Sequence, residues 1–137
     1  MKAKKTMSLR NILLIISIAI FIPSLVHAKH VHPERFYQEK WCYQNKGYIE
    51  FILLCRTRVD CLTKSHAIEF DFASKWTEAI GQSLYYSLKT GKKAGIVLII
   101  EKQSDFKYWL RLNSVIEKLN LKIDTWKIEL EYHEKQY

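Results

Sequence analysis

The stretch RVDCLTKSHAIEFDFASKWTEAIGQSLYY, residues 58–86, holds most of the chain's chemistry-bearing side chains and decides how the rest is read. Two runs rich in β-formers, 58–63 and 67–72, flank a short polar connection at Lys64-Ser65-His66. Side chains alternate faces along a strand, so Glu69 and Asp71 project from one side of the second run while Ile68, Phe70 and Phe72 project from the other. Asp60 stands on the first run. Trp76, Ile80, Leu84 and Leu88 recur at helical spacing and predict a helix over 74–89, ended at Thr90-Gly91 by a left-handed glycine cap. Lys75, Ala79, Gln82 and Tyr86 then share one stripe of that helix. Acids on adjacent strands are thereby set beside a lysine, an amide and a phenol.

Working back toward the N-terminus, 48–54 is a β-rich run and Arg56-Thr57 a turn, so the first two strands form a hairpin. Before it, Pro33 opens a helix at the position where its missing N–H costs nothing, and Asn45-Lys46-Gly47 ends that helix. Glu34, Tyr37, Gln38 and Trp41 share one of its faces. Working forward, 95–100 is unbroken apolar sequence and predicts a strand buried on both faces. Ser104 is the expected cap of a further helix with Phe106, Trp109, Leu112, Ile116 and Leu119 as its apolar stripe, stopped at Asn120. A short last strand is expected at 121–123, and 125–137 carries no clear pattern. The fold class is α/β: a small mixed β-sheet flanked by helices, in the order αβββαβαβ.

The first 28 residues read as a secretory signal peptide rather than as part of the fold. Lys2, Lys4, Lys5 and Arg10 precede an apolar run at 12–22, and Val26, His27 and Ala28 place small or modest residues before the expected cut. The apolar run is shorter than the ~20 residues a bilayer-crossing helix needs. Removing 28 of 137 residues leaves 109, the size of one domain, here 29–137. It also removes four of the 22 basic residues and none of the 14 acids, which takes the formal charge from +8 to +4. That modest charge argues against strong nonspecific nucleic-acid binding spread over the whole surface, and leaves open a local patch from Lys64, Lys75, Lys89, Lys92 and Lys93. The expected location is periplasmic or secreted. Three cysteines, Cys42, Cys55 and Cys61, in such a compartment imply one disulfide and one spare thiol. Three pairings are open, and Cys42 with Cys61 is favoured because it would tie the first helix to the strand carrying Asp60. No cysteine pair has zinc-ligand spacing.

The element order and polar positions together resemble the PD-(D/E)XK nuclease superfamily, also called restriction-endonuclease-like, in its RecB-like and Holliday-junction-resolvase-like branches. The resemblance runs from about Glu34 to Ile123. Glu34 matches that superfamily's helix acid, Asp60 its second-strand aspartate, Glu69 its third-strand acid, and Gln82 with Tyr86 the Gln-x-x-x-Tyr pattern. Where the motif has lysine two residues after the third-strand acid, this chain has Asp71, so the lysine role falls to Lys75 on the following helix.

The resemblance implies a nuclease that uses Mg²⁺ or Mn²⁺ and acts on nucleic acid, DNA before RNA. Asp60, Glu69 and Asp71 would supply the oxygen ligands that such a cation accepts. Asp60, Glu69, Lys75 and Gln82 would be the catalytic set, with Lys75 on the attacking water or a phosphate oxygen and Gln82 on the same water or a base edge. Tyr86, Gln82 and Lys75 would bind substrate, and Glu34 would support the metal ligands from behind. The alternative is an inert domain of the same fold serving as a secreted binding module, with Asp71 as the mark of lost activity. Plainer roles compete for single residues: a wet face for the acids, dipole compensation for Lys89, Lys92 and Lys93, a turn for His66. His66 is also a minor candidate for proton transfer. No Gly-x-Ser-x-Gly elbow or glycine-rich phosphate loop occurs in a chain with four glycines.

Overall fold

The computed structural model describes residues 30–130. The expected signal peptide lies outside them, as do residues 131–137. The elements are α1 (Glu34–Gln44), β1 (Tyr48–Ile52), β2 (Arg58–Leu62), β3 (His66–Phe72), α2 (Trp76–Thr90), β4 (Lys93–Ile100), α3 (Phe106–Lys118) and β5 (Ile123–Glu129). The order is the expected αβββαβαβ, with short 3₁₀ turns at Ala73–Lys75 and Gln103–Asp105. One mixed five-stranded sheet runs β1-β2-β3-β4-β5. The β1-β2 and β2-β3 pairs are antiparallel, and the β3-β4 and β4-β5 pairs are parallel. Among the described residues, no helix is long and apolar enough to cross a membrane.

Helix α1 covers one face of the sheet, where Cys42, Cys61, Ile68, Phe70 and Val97 form a buried cluster closed by Trp41 and Trp126. Helices α2 and α3 cover the other, over Ala94, Ile96, Leu98 and Ile100. Strand β4 is buried along both faces from Ala94 onward, as its apolar sequence demands. Cys42 and Cys61 are joined by a disulfide, and Cys55 is free and exposed. The bridge anchors α1 to β2, and Gly47 lies over it: a Cβ there would stand 2.5 Å from Cys61 Sγ and 2.7 Å from Cys42 Sγ.

Four expectations need correction. Helix α2 does not turn Leu84 and Leu88 inward; both are exposed, and Ala79, Ser83 and Tyr86 face the core instead. Small side chains at 79 and 83 let the helix lie close to the sheet, which a leucine stripe would hold away. Lys75 belongs to the 3₁₀ turn ahead of α2 rather than to the helix itself. Ser104 sits within a 3₁₀ turn and makes no capping bond to α3. The last strand is Ile123–Glu129 rather than a short piece at 121–123, because Trp126 and Ile128 pack under α1 while the strand pairs with β4 along its length. Gly91 does cap α2 in the left-handed region, at φ 66°.

The pairing lapses at one place. The β1-β2 register joins Ile49 to Cys61 and Phe51 to Val59 but skips Glu50 and Asp60, and β2-β3 pairing stops at Cys61 with Ile68. Glu50 has φ 54°, a left-handed conformation that costs a residue other than glycine roughly 1 kcal/mol or more. This seam is where Asp60 stands.

Candidate functional site

Each acid reaches the seam for a local reason. Asp60 is freed from the ladder on both sides, so its Oδ2 accepts the Phe70 N–H at 2.8 Å in place of a backbone carbonyl. Glu69 and Asp71 alternate with Phe70 on β3 and therefore point away from α1, toward α2. Asp71 Oδ1 accepts the Phe72 N–H at 3.0 Å and lies 3.7 Å from Lys75 Nζ. Glu34, in the first turn of α1, accepts Gln38 Nε2 at 2.9 Å. The start of α1 is itself positioned by buried Glu101, which accepts His30 Nδ1 (2.7 Å), the Val31 N–H (2.9 Å) and the Tyr37 hydroxyl (2.9 Å).

These side chains meet in one pocket of about 520 Å³, bordered by Glu34, Asp60, Glu69, Asp71, Lys75, Gln82 and Tyr86, and so by every site residue anticipated from sequence. Glu69 is 4% exposed. Gln82 Nε2 donates to its Oε1. Asp60 and the Tyr86 phenol lie against the same carboxyl group, yet Oε2 has no well-formed hydrogen bond among the described residues and is sealed from solvent. Burial and then the neighbouring Asp60 charge push Glu69 well above the usual carboxylate range. Burial also raises Asp60, against the pull of the Phe70 N–H. Glu34 is pushed to about 7 by burial and then by the charges of Asp60 and Asp71. Asp71 is raised to about 6 by burial, an effect that Lys75 and the Phe72 N–H moderate. The Tyr86 phenol is raised by burial and by Glu69.

The acids share a pocket without sharing a point. Among the described residues, no three His, Cys, Asp or Glu side chains stand ready-made around one ligating position. Glu69 Oε1 is turned to Gln82, and Asp60 and Asp71 each hold a main-chain N–H. Lys75 joins the pocket on the Asp71 side, its Nζ 3.7 Å from Asp71 Oδ1. His66 is not at the site: its Nε2 bonds Asp124 Oδ2 at 2.7 Å and its Nδ1 bonds Ser65 Oγ at 2.8 Å. Of the five lysines considered for a local patch, Lys75 alone borders the pocket.

Sequence reasoning missed Arg56, Thr57, Arg58 and Glu78, which also border it. The first two read only as a turn and Arg58 only as a strand start. The available signal was their position beside Asp60 on a hairpin, which returns the turn to the neighbourhood of the acid. Compared with known protein families, with characterised proteins and with solved structures, the chain matches none.

Proposed function

We propose that this chain is a metal-dependent nuclease, restriction-endonuclease-like in descent, which is exported and hydrolyses phosphodiester bonds in DNA, with RNA as the alternative substrate. The observation that carries this reading is Glu69: a buried carboxyl group among four further acids, with one oxygen left without a hydrogen-bond partner among the described residues. Taking such a group out of water without a partner costs on the order of 1–3 kcal/mol or more, a cost usually met with where a ligand offsets it. The donors are hard oxygens, which suit Mg²⁺ or Mn²⁺. The pocket wall has five acids and three bases, a formal excess of two negative charges that one divalent cation balances.

Asp60, Glu69 and Asp71 would hold the cation, and Glu34 would support them. Bound there, it supplies charge neutralisation at the phosphate and a water of lowered pKa. Lys75, more than half exposed beside Asp71, is free to swing its ammonium onto a phosphate oxygen or the attacking water. Gln82 fixes the Glu69 carboxylate through its amide N–H and keeps its carbonyl oxygen for a water proton. Tyr86, held neutral, donates its O–H toward an anion. Export is supported by the Cys42–Cys61 disulfide, which persists in oxidising compartments.

The test is cleavage of linear, circular and single-stranded DNA by the oxidised protein in Mg²⁺, Mn²⁺ or EDTA. Metal-dependent cleavage, falling roughly 100-fold or more in Asp60→Asn and in Lys75→Ala, is the expected result. A second reading, an inert binding module of the same fold, is favoured by Asp71 standing where the motif has lysine and by the pairing of Lys75 with it. No cleavage of any substrate, together with no calorimetric Mn²⁺ binding, would decide for that module.

A further inference from the structure

We infer, on the basis of the nuclease reading, that the β1-β2 hairpin is the substrate-gripping wall of this site, with Arg56 and Arg58 engaging a nucleic-acid phosphate that flanks the one held over the acids. Two separate elements border the carboxylates: the 3₁₀ turn with α2, which gives Lys75, Glu78, Gln82 and Tyr86, and the hairpin, which gives Ile52, Arg56, Thr57 and Arg58. The hairpin loop is fixed in shape. Leu53 N–H donates to the Thr57 carbonyl and Arg56 N–H to the Leu53 carbonyl, both at 2.8 Å. Arg56 is held at φ 64°, where asparagine or glycine would sit with less strain.

Arg58 is aimed by Glu50, whose Oε2 lies 2.8 Å from its Nη1, while 59% of the arginine side chain stays exposed. A guanidinium has five N–H donors, so this one contact leaves a face for bidentate phosphate binding. Solvent reaches the arginine half of the pair, which weakens it and lets a phosphate compete for the guanidinium. The charge pattern requires such groups. The acids repel a polyanion, and a single divalent cation only brings the pocket to neutrality. Attraction for a nucleic-acid strand must come from cations at the border, and two of the three present are these arginines.

A plainer role is neutralisation of the acids, which would leave substrate affinity untouched. The experiment is fluorescence anisotropy of a labelled DNA oligonucleotide, single-stranded and as a duplex, with the full oxidised Asp60→Asn protein in Ca²⁺ over a salt series. Adding Arg56→Ala and Arg58→Ala should weaken binding at least tenfold at low salt. It should also flatten the plot of log affinity against log salt by roughly 0.7 for single strands or 0.9 for duplex, the weight of one phosphate contact. Lys118→Ala, on the exposed end of α3, is the control and should change neither. Affinity and slope unchanged in the double variant, or no binding of either DNA by Asp60→Asn alone, overturns the inference. If the alanine pair fails to fold, Arg56→Glu alone replaces it, and unaltered binding there is equally fatal. Failure of the nuclease reading is seen separately: arginine-dependent binding without metal-dependent cleavage by the unsubstituted protein removes the enzyme and keeps the grip. Cleavage with binding indifferent to the arginines does the reverse.

Discussion

Glu69 and Glu101 are both buried glutamates, 4% and 5% exposed, and the fold treats them in opposite ways. Burial pushes Glu101 up, yet hydrogen bonds from His30, Tyr37 and the Val31 N–H outweigh it and leave the group below its ordinary 4.5. Its stabilising share is therefore present above pH 4.5 and is lost as pH falls through the lowered value. For Glu69 the Gln82 amide does not outweigh burial and the neighbouring Asp60, and the group is raised, as are Glu34, to about 7, and Asp71, to about 6. A raised acid costs nothing while protonated and destabilises the fold as pH climbs from its unfolded value to its folded one. In EDTA, urea unfolding should show stability falling from about pH 4 to about pH 7 as Asp71 and Glu34 ionise, and further at higher pH as Glu69 does. Glu34→Gln should remove roughly 1 kcal/mol of that fall, a figure discounted because the group is half-exposed. Saturating Mn²⁺ should abolish the fall. Stability flat with pH in EDTA would mean that these carboxyls are solvated and the pocket holds no stored charge.

At the scale of elements, the disulfide and the helix beneath it carry the most weight. A bridge closing a loop of 19 residues restricts the unfolded chain by about 3 kcal/mol on the entropic model. The glycine above it leaves no spare room, and the atoms a Cβ would meet are bridge sulfurs rather than flexible side-chain ends. Gly47→Ala should therefore cost about 1–3 kcal/mol in urea unfolding of the oxidised protein. The loss should shrink when both chains are reduced, since the sulfurs can then part. An equal loss in both redox states would place the strain elsewhere. Element types were legible because each has a strong local signal: Pro33 before α1, the apolar run of β4, Gly91 after α2. Glu69 and Asp71 were legible through period-two alternation alone. The inward face of α2 was not, because apolarity at 84 and 88 outranks the small side chains at 79 and 83, and close approach to a sheet is a tertiary demand. The extent of strand β5 was misjudged, because Lys127 and Glu129 dilute a run that pairing with β4 nonetheless makes extended.

Taken whole, the molecule is a hairpin joined to a parallel three-stranded unit, and the candidate site lies where the two meet. No periodicity marks such a junction in a sequence, so the roles of Glu50, Arg56 and Arg58 came only from three dimensions. A cation at the junction would be felt throughout, adding ~2.7 kcal/mol of stability at a hundredfold excess over its Kd. One amide would witness it directly. The Phe70 N–H sits mid-sheet, yet its partner is a side-chain carboxylate rather than a carbonyl of the adjoining strand. Deuterium uptake there should quicken in Asp60→Ala while the amide of Ile68, which forms the last regular β2-β3 pair with Cys61, keeps its rate. Read by NMR, that single nitrogen becomes an in-built reporter, able to register an ion arriving at the carboxylate with no substrate present.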